Sequence, residues 1–316
     1  MSERAPAFAN GSWRLFCVRG IDVRVHWTWL IVAYYDISSR AGEYSSIVWN
    51  AAEYVSVFGI VLLHEFGHVL ACRQVGGKAD RIVLWPLGGV ALVQPPPRPG
   101  AFLWSLVAGP LVNVVLVPVT VGLVAVSQFA DWSNVAPNVA RFVFALAVVN
   151  FIMLVFNLLP IYPLDGGQIL QTLLWFFIGR GRSLMIATVL GFVLGSGLII
   201  FALAMQEWWL CVLAGFVLFR SFRGIQDSRV LVRLESALQR TDAVCPACHR
   251  PAPGGEVWRC GFCREWIDVF KTGAKCPCCN TNIDNLICHA CGQRAPFSAW
   301  LVQAESDPSA RPSGTP

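Results

Sequence analysis

The residues that could do chemistry begin at His64. The chain reads His64-Glu65-Phe66-Gly67-His68, an H-E-x-x-H motif inside an apolar run. On a helix, residues four apart lie on one face, a turn from each other, so two imidazoles there can hold one metal ion. Zinc held this way lowers the pKa of a coordinated water to about 7, and Glu65, one residue along, can take its proton. In a soluble protein such a triplet can be ordinary helix surface. Inside an apolar span ionisable groups are costly and by default face a cavity or a partner. Gly59 and Gly67 leave room on the same helix for a neighbouring backbone or a substrate.

A catalytic zinc has three protein ligands and one open position. The segment Asn157-Leu-Leu-Pro160-Ile-Tyr-Pro163-Leu-Asp165-Gly166-Gly167 offers a third. Its prolines stop a helix and its glycines permit a sharp restart. Asp165 at that break is either a metal ligand or the N-cap of the next helix, and spacing alone leaves both readings open.

H-E-x-x-H in one span, with N-x-x-P-x-x-P-L-D-G after a later one, resembles the site-2 protease family of intramembrane metalloproteases over roughly residues 23–222. Val23-Arg-Val-His26-Trp27, Leu87-Gly88-Gly89-Val-Ala91 and Ala108-Gly-Pro-Leu-Val-Asn113 fit the same pattern. The resemblance implies one catalytic zinc on His64, His68 and Asp165, with Glu65 as general base. It implies that Asn157 holds the scissile carbonyl or its oxyanion, and it adds Gly88, Gly89 and Asn113 as substrate-binding candidates. His26 reads as an interfacial residue rather than a ligand. The activity implied is hydrolysis of peptide bonds in transmembrane or membrane-associated proteins. Two rivals are a membrane scaffold or regulator that keeps the fold without proteolysis, and a metal ion transporter. The complete set of Glu65 and ligands argues against the first. Against the second, the polar groups cluster at one depth.

The elements that must position these residues are membrane spans. Of 316 residues, 55% are hydrophobic and 14% charged, against about 25% charged in soluble domains; the mean hydropathy is +0.56. No removable signal peptide is expected. Apolar stretches fall at 25–37, 54–72, 102–129, 139–159, 184–205 and 208–219. The middle four reach the length of about 20 residues that a crossing helix needs, and the first and last are short. Trp208 and Trp209 read as interfacial anchors of the last, and the run 169–178 is too short to cross alone. Basic residues gather at Arg4, Arg14, Arg19 and Arg24, at Arg73, Lys78, Arg81 and Arg98, at Arg180 and Arg182, and at Arg220, Arg223, Arg229 and Arg233. With six spans these all fall on one side, which places both termini in the cytoplasm. The expectation is an all-α polytopic membrane protein of about six spans, one broken at the active site. A small extended segment at 82–93 in the second cytoplasmic loop can pair with an unwound substrate as an added strand. The compact plan points to a prokaryotic plasma membrane. By this reading residues 1–24 are a cytoplasmic tail, 25–222 the protease core, 223–243 a linker helix, 244–295 a metal module and 296–316 a disordered tail.

Nine of the 12 cysteines crowd into Cys245–Cys291. Eight form C-x-x-C pairs, namely Cys245/Cys248, Cys260/Cys263, Cys276/Cys279 and Cys288/Cys291, with gaps of 11, 12 and 8 residues. Two such pairs complete a tetrahedral four-thiolate site, so eight cysteines imply two structural zincs in a double zinc ribbon. Sequential pairing is the simplest, and a cross-braced pairing stays open. Cys278, His249 and His289 are spare donors. Disulfides would need an oxidising compartment, against the cytoplasmic placement. The ribbon is expected to recruit a cytoplasmic protein partner or the substrate. The net charge of +5 follows from the loop arginines, and nucleic-acid binding is not expected.

Overall fold

The computed structural model describes residues 11–40, 42–85 and 88–302. The chain forms two compact units, one ending at Ser228 and the other running from Arg229.

The first unit opens with two strands, β1 (Ser12–Val18) and β2 (Ile21–His26), followed by the short helix α1 (Thr28–Ser39) and the long helix α2 (Ile47–Gln74). Strands β3 (Lys78–Trp85) and β4 (Gly88–Gln94) come next. Then follow α3 (Pro99–Phe129), the single turn α4 (Trp132–Val135), α5 (Pro137–Leu158), α6 (Asp165–Ile178), α7 (Arg180–Ala204) and α8 (Trp208–Ser236). Proline at the first position starts both α3 and α5, where its missing N–H costs nothing. The Ser46 hydroxyl caps α2 by accepting from Val48 N–H.

Among the described residues, four helices are long and apolar enough to cross a membrane: α2, α3, α5 and α7. With 12 residues, α1 is about 18 Å long and falls short of the hydrocarbon thickness. Helix α6, at 14 residues, is also too short. In α8 the apolar start continues without a break into an arginine-bearing half. The separate linker helix expected at 223–243 is therefore corrected. Its first part is the end of α8, and from Gln239 the chain is extended. Trp208 is exposed at the start of α8, whereas the Trp209 side chain lies outside the described residues.

The all-α expectation is corrected to a mostly helical unit carrying a four-stranded sheet in the order β1-β2-β3-β4. β1 and β2 are antiparallel, β2 and β3 parallel, β3 and β4 antiparallel. Residues 12–24, expected as a tail, lie in this sheet. The cause is the alternation in Ile21-Asp-Val23-Arg-Val25, whose apolar members are buried against Val69 and Cys72 of α2. Arg73 locks the sheet to the helix end. It donates to the carbonyls of Ala79 (2.6 Å), Arg19 (2.6 Å) and Gly20 (2.8 Å). At the other end of α2, Glu53 is 2% exposed and accepts from Arg40 (2.5 Å) and from the Tyr44 hydroxyl. That pairing makes a buried carboxylate tolerable in an apolar helix.

The second unit contains three two-stranded hairpins: β5 (Gln239–Val244) with β6 (Pro251–Pro253), β7 (Trp258–Arg259) with β8 (Trp266–Ile267), and β9 (Asn285–Ile287) with β10 (Arg294–Pro296). A bridge from Lys275 to Asn282 supplies a fourth, minimal hairpin. A 3-10 turn at Phe297–Trp300 follows. Trp300 is 1% exposed and packs edge-on to Trp258. The disordered tail expected from 296 is thus corrected for residues 296–302, which complete this core; 303–316 lie outside the described residues.

Candidate active site

Helix α2 carries His64 and His68 one turn apart, with ring centroids 4.8 Å apart. Both are buried, as is Glu65. Two close approaches by α3 shape the space around them. The Ala108 carbonyl lies against Gly67, and Gly109 lies against the imidazoles where any Cβ would overlap His68 Nε2. Gly59, also expected to leave room, has open space beside it.

Asp165 opens α6 as its first residue; Leu164 is the N-cap and makes no capping bond through its side chain. The capping reading of Asp165 is therefore corrected. Its carboxylate turns to the histidines, with Oδ2 3.0 Å from His64 Nε2 and 3.3 Å from His68 Nε2. The turn that presents it is held from several sides. Gln168 donates to the Pro163 carbonyl (2.8 Å) and the Ser221 hydroxyl to the Tyr162 carbonyl (2.9 Å). Gly191 of α7 and Gly224 of α8 lie against Tyr162. Gly166 and Gly167 press on backbone at Leu158 and Tyr162, where a side chain has no room.

The chemistry of the three donors fits a metal ion. His68 Nδ1 faces the Ser105 carbonyl at 2.7 Å, which can only accept, so the proton sits on Nδ1 and Nε2 keeps its lone pair. His64 Nδ1 donates likewise to Asn113 Oδ1 (2.6 Å). Two imidazole lone pairs, 3.1 Å apart, thus converge with a carboxylate oxygen. These groups repel one another unless a cation sits among them. The edges of 3.0, 3.1 and 3.3 Å match the roughly 3.3 Å spacing of ligands at 2.0–2.1 Å around a tetrahedral zinc.

Glu65 lies under β4. Its Oε2 accepts from Ala91 N–H (2.8 Å), and Gly89 presses on the rest of its side chain. Gly88 has open space around it. Asn113 is 0% exposed, with its amide taken up by His64 and Asn150. With no exposed face, this side chain directs its described bonds to the protein itself. Asn157, at the end of α5, is partly exposed and makes no described hydrogen bond. His26 pairs with the Thr28 hydroxyl at 2.6 Å. Sequence reasoning missed Ser105 and Asn150, and it placed Gly109 and Ala91 only within the segments 108–113 and 87–91, without a role. Of the two missed, Asn150 carried a signal, as an amide within an apolar stretch.

In the second unit the cysteines gather as Cys245, Cys248, Cys288 and Cys291, and as Cys260, Cys263, Cys276 and Cys279. The first pair thus joins the fourth and the second joins the third. Sequential pairing is corrected, and cross-bracing is not what forms. Sulfur separations of 3.5–3.8 Å across the pairs equal the edge of about 3.8 Å expected for Zn–S bonds of 2.3 Å. They are far from the 2.05 Å of a disulfide. Each pair sits at a hairpin tip with the same backbone bonds. Cys245, Cys260, Cys276 and Cys288 N–H reach the carbonyl five residues on, and the residue after each second cysteine has positive φ. His249 is one of those turn residues, beside Arg264, Asn280 and Gly292. His289 packs at a tilt against Trp258, and Cys278 is exposed outside both clusters. The Thr281 hydroxyl and N–H bring the Cys279 thiol down to about 6, toward the thiolate that a metal binds.

The fold and this site define a helical membrane protein built around an H-E-x-x-H metal centre with a distant aspartate. The sequence profile described as peptidase family M50 matches residues 52–135 and 117–202. A zinc metalloprotease of Methanocaldococcus jannaschii is 33% identical over 222 residues, which are 70% of this chain and 62% of that protein. Stage IV sporulation protein FB of Bacillus subtilis is 32% identical over 174 residues, 52% of this chain and 56% of that protein. The solved structure of the site-2 protease from Methanocaldococcus jannaschii superposes with a TM-score of 0.51 at 29% identity, over 68% of this chain and 95% of that one. Over its membrane part, the chain belongs to peptidase family M50, the site-2 proteases. It spans about three-fifths or less of the length of these curated relatives.

Proposed function

We propose that this protein is a zinc-dependent intramembrane endopeptidase acting on transmembrane or membrane-associated proteins. The observation that carries this reading is the convergence of His64 Nε2, His68 Nε2 and Asp165 Oδ2 next to a buried Glu65. His64, His68 and Asp165 would hold one zinc, which when bound supplies a Lewis acid that polarises a carbonyl and acidifies a water. Glu65 takes the proton of the attacking water and returns it to the leaving amine. Asn157, at the free end of α5, donates to the developing oxyanion. A helical peptide hides its carbonyls, so the substrate must unwind. The edge of β4 offers it a strand to pair with, and Gly89 permits close approach beside Glu65.

The topology that best serves this chemistry has six crossings, with α1 and the start of α8 completing the set. The loop arginines then keep both termini in the cytoplasm of a prokaryotic plasma membrane. The second unit holds two structural zincs, three per chain in all, and recruits substrate or a cytoplasmic partner.

The test is zinc content and cleavage by the detergent-purified full chain beside Glu65→Gln. Three zincs in both proteins, with cleavage of a membrane substrate only by wild type, supports the reading. Cleavage that survives Glu65→Gln overturns Glu65 as base. Zinc held by both with no cleavage across a panel of membrane substrates favours the non-proteolytic scaffold.

A further inference from the structure

We infer that Asn150 is a positioning residue for the metal site, acting on His64 through Asn113. This rests on the zinc reading above and deepens it. The two histidines are oriented by different means. His68 needs one link, because Ser105 offers a backbone carbonyl that can only accept. His64 instead faces a side-chain amide, and an amide has two ends of nearly the same shape. With Asn113 Oδ1 toward the ring, His64 Nδ1 donates and Nε2 is free to bind a metal. With the amide turned over, its NH2 would face the ring, Nδ1 would accept, and the proton would move to Nε2, where the metal belongs.

Asn150 decides which end faces the ring. Its Oδ1 accepts from Asn113 Nδ2 at 2.9 Å, while its own Nδ2 donates to the Asn113 backbone carbonyl at 3.2 Å. That carbonyl cannot donate, so the orientation of Asn150 is set by backbone. The orientation of Asn113 follows from Asn150, and the tautomer of His64 from Asn113. Both amides are 0% exposed. Bulk solvent does not reach them to replace a lost partner, and every bond in the chain keeps its direction. Each is an amide flanked by apolar residues in the middle of its helix, α3 or α5, where a polar side chain is costly and by default has a partner or a function.

The experiment measures zinc affinity by chelator competition, and the visible spectrum of the cobalt-substituted site, in full-length detergent-purified protein. Asp165→Asn serves as the baseline that keeps only the second unit's metal. Asn150→Leu removes the orienting acceptor and keeps an apolar, packable side chain. It is expected to weaken zinc at the membrane site about 10-fold or more and to change the cobalt spectrum. The double variant Asn113→Asp with Asn150→Leu puts an acceptor oxygen at both ends, so orientation no longer matters; it is expected to bind zinc more tightly than Asn150→Leu. Asn150→Leu with unchanged affinity and spectrum overturns the proposal. So does a helical, folded Asn150→Leu whose zinc affinity the double variant fails to raise. A wild-type protein with no more zinc than Asp165→Asn would instead overturn the zinc reading beneath it.

Discussion

Gly109 gives the sharpest prediction. A Cβ built there would stand 2.9 Å from His64 Nε2 and overlap both Nε2 and Cε1 of His68, where ordinary contact begins near 3.4 Å. Gly109→Ala must therefore push His64 by about 0.5 Å and His68 by more, against a tolerance of about 0.2 Å for metal–ligand distances. Neither ring can retreat freely, because Asn113 and the Ser105 carbonyl hold their far sides. Loss of two aligned ligands exceeds the 10–100-fold cost of disturbing a supporting residue, so zinc affinity should fall at least about 100-fold. Helix propensity works the other way, since alanine favours a helix over glycine by about 1 kcal/mol. Gly122 of the same helix separates the two effects, as a Cβ there meets nothing within 4 Å. The assay is metal analysis and thermal unfolding of both variants in detergent. Gly122→Ala should keep its zinc and lose no stability, while Gly109→Ala should lose the membrane-site zinc and remain helical. A Gly109→Ala protein with full zinc would refute the reasoning.

The other predictions concern the second unit and the N-terminal end of α2. Cys288→Ser should expose Cys245, Cys248 and Cys291 to alkylation and leave Cys260, Cys263, Cys276 and Cys279 protected by their metal. Protection of Cys245 and Cys248 in that variant would restore sequential pairing. Trp300→Ala removes a core indole that is 1% exposed and should destabilise the second unit by about 3–5 kcal/mol; a smaller shift in chemical denaturation would mean that residues 296–302 contribute little to its core. Arg40→Leu strands the Glu53 carboxylate, buried at 2% exposure, and should cost about 3–5 kcal/mol, with Glu53→Gln in the same chain recovering most of it. Equal stability of Arg40→Leu and wild type in detergent unfolding would show that Glu53 relies on Tyr44 alone.

What could be read from the sequence was whatever depends on local spacing. A spacing of four from His64 to His68 puts both on one helix face, and two prolines with two glycines end α5 and restart α6 around Asp165. C-x-x-C pairs make knuckles wherever they stand. The alternation at Ile21–Val25 is equally local, but it runs directly into an apolar stretch that masks its period of two. Tertiary structure decided which distant pieces meet. Asp165 and the histidines are separated by about a hundred residues, and only the packing of α6 against α7 and α3 shows that the carboxylate turns to the imidazoles rather than caps its helix. The burial of Asn113 likewise depends on α5, which supplies Asn150. The cysteine pairing turned on which hairpins share the core of Trp258, Phe270 and Trp300. Spacing along the chain carries no information about that choice. A helix or a knuckle is specified by its neighbours in sequence, whereas a ligand set is specified by whichever surfaces exclude solvent together.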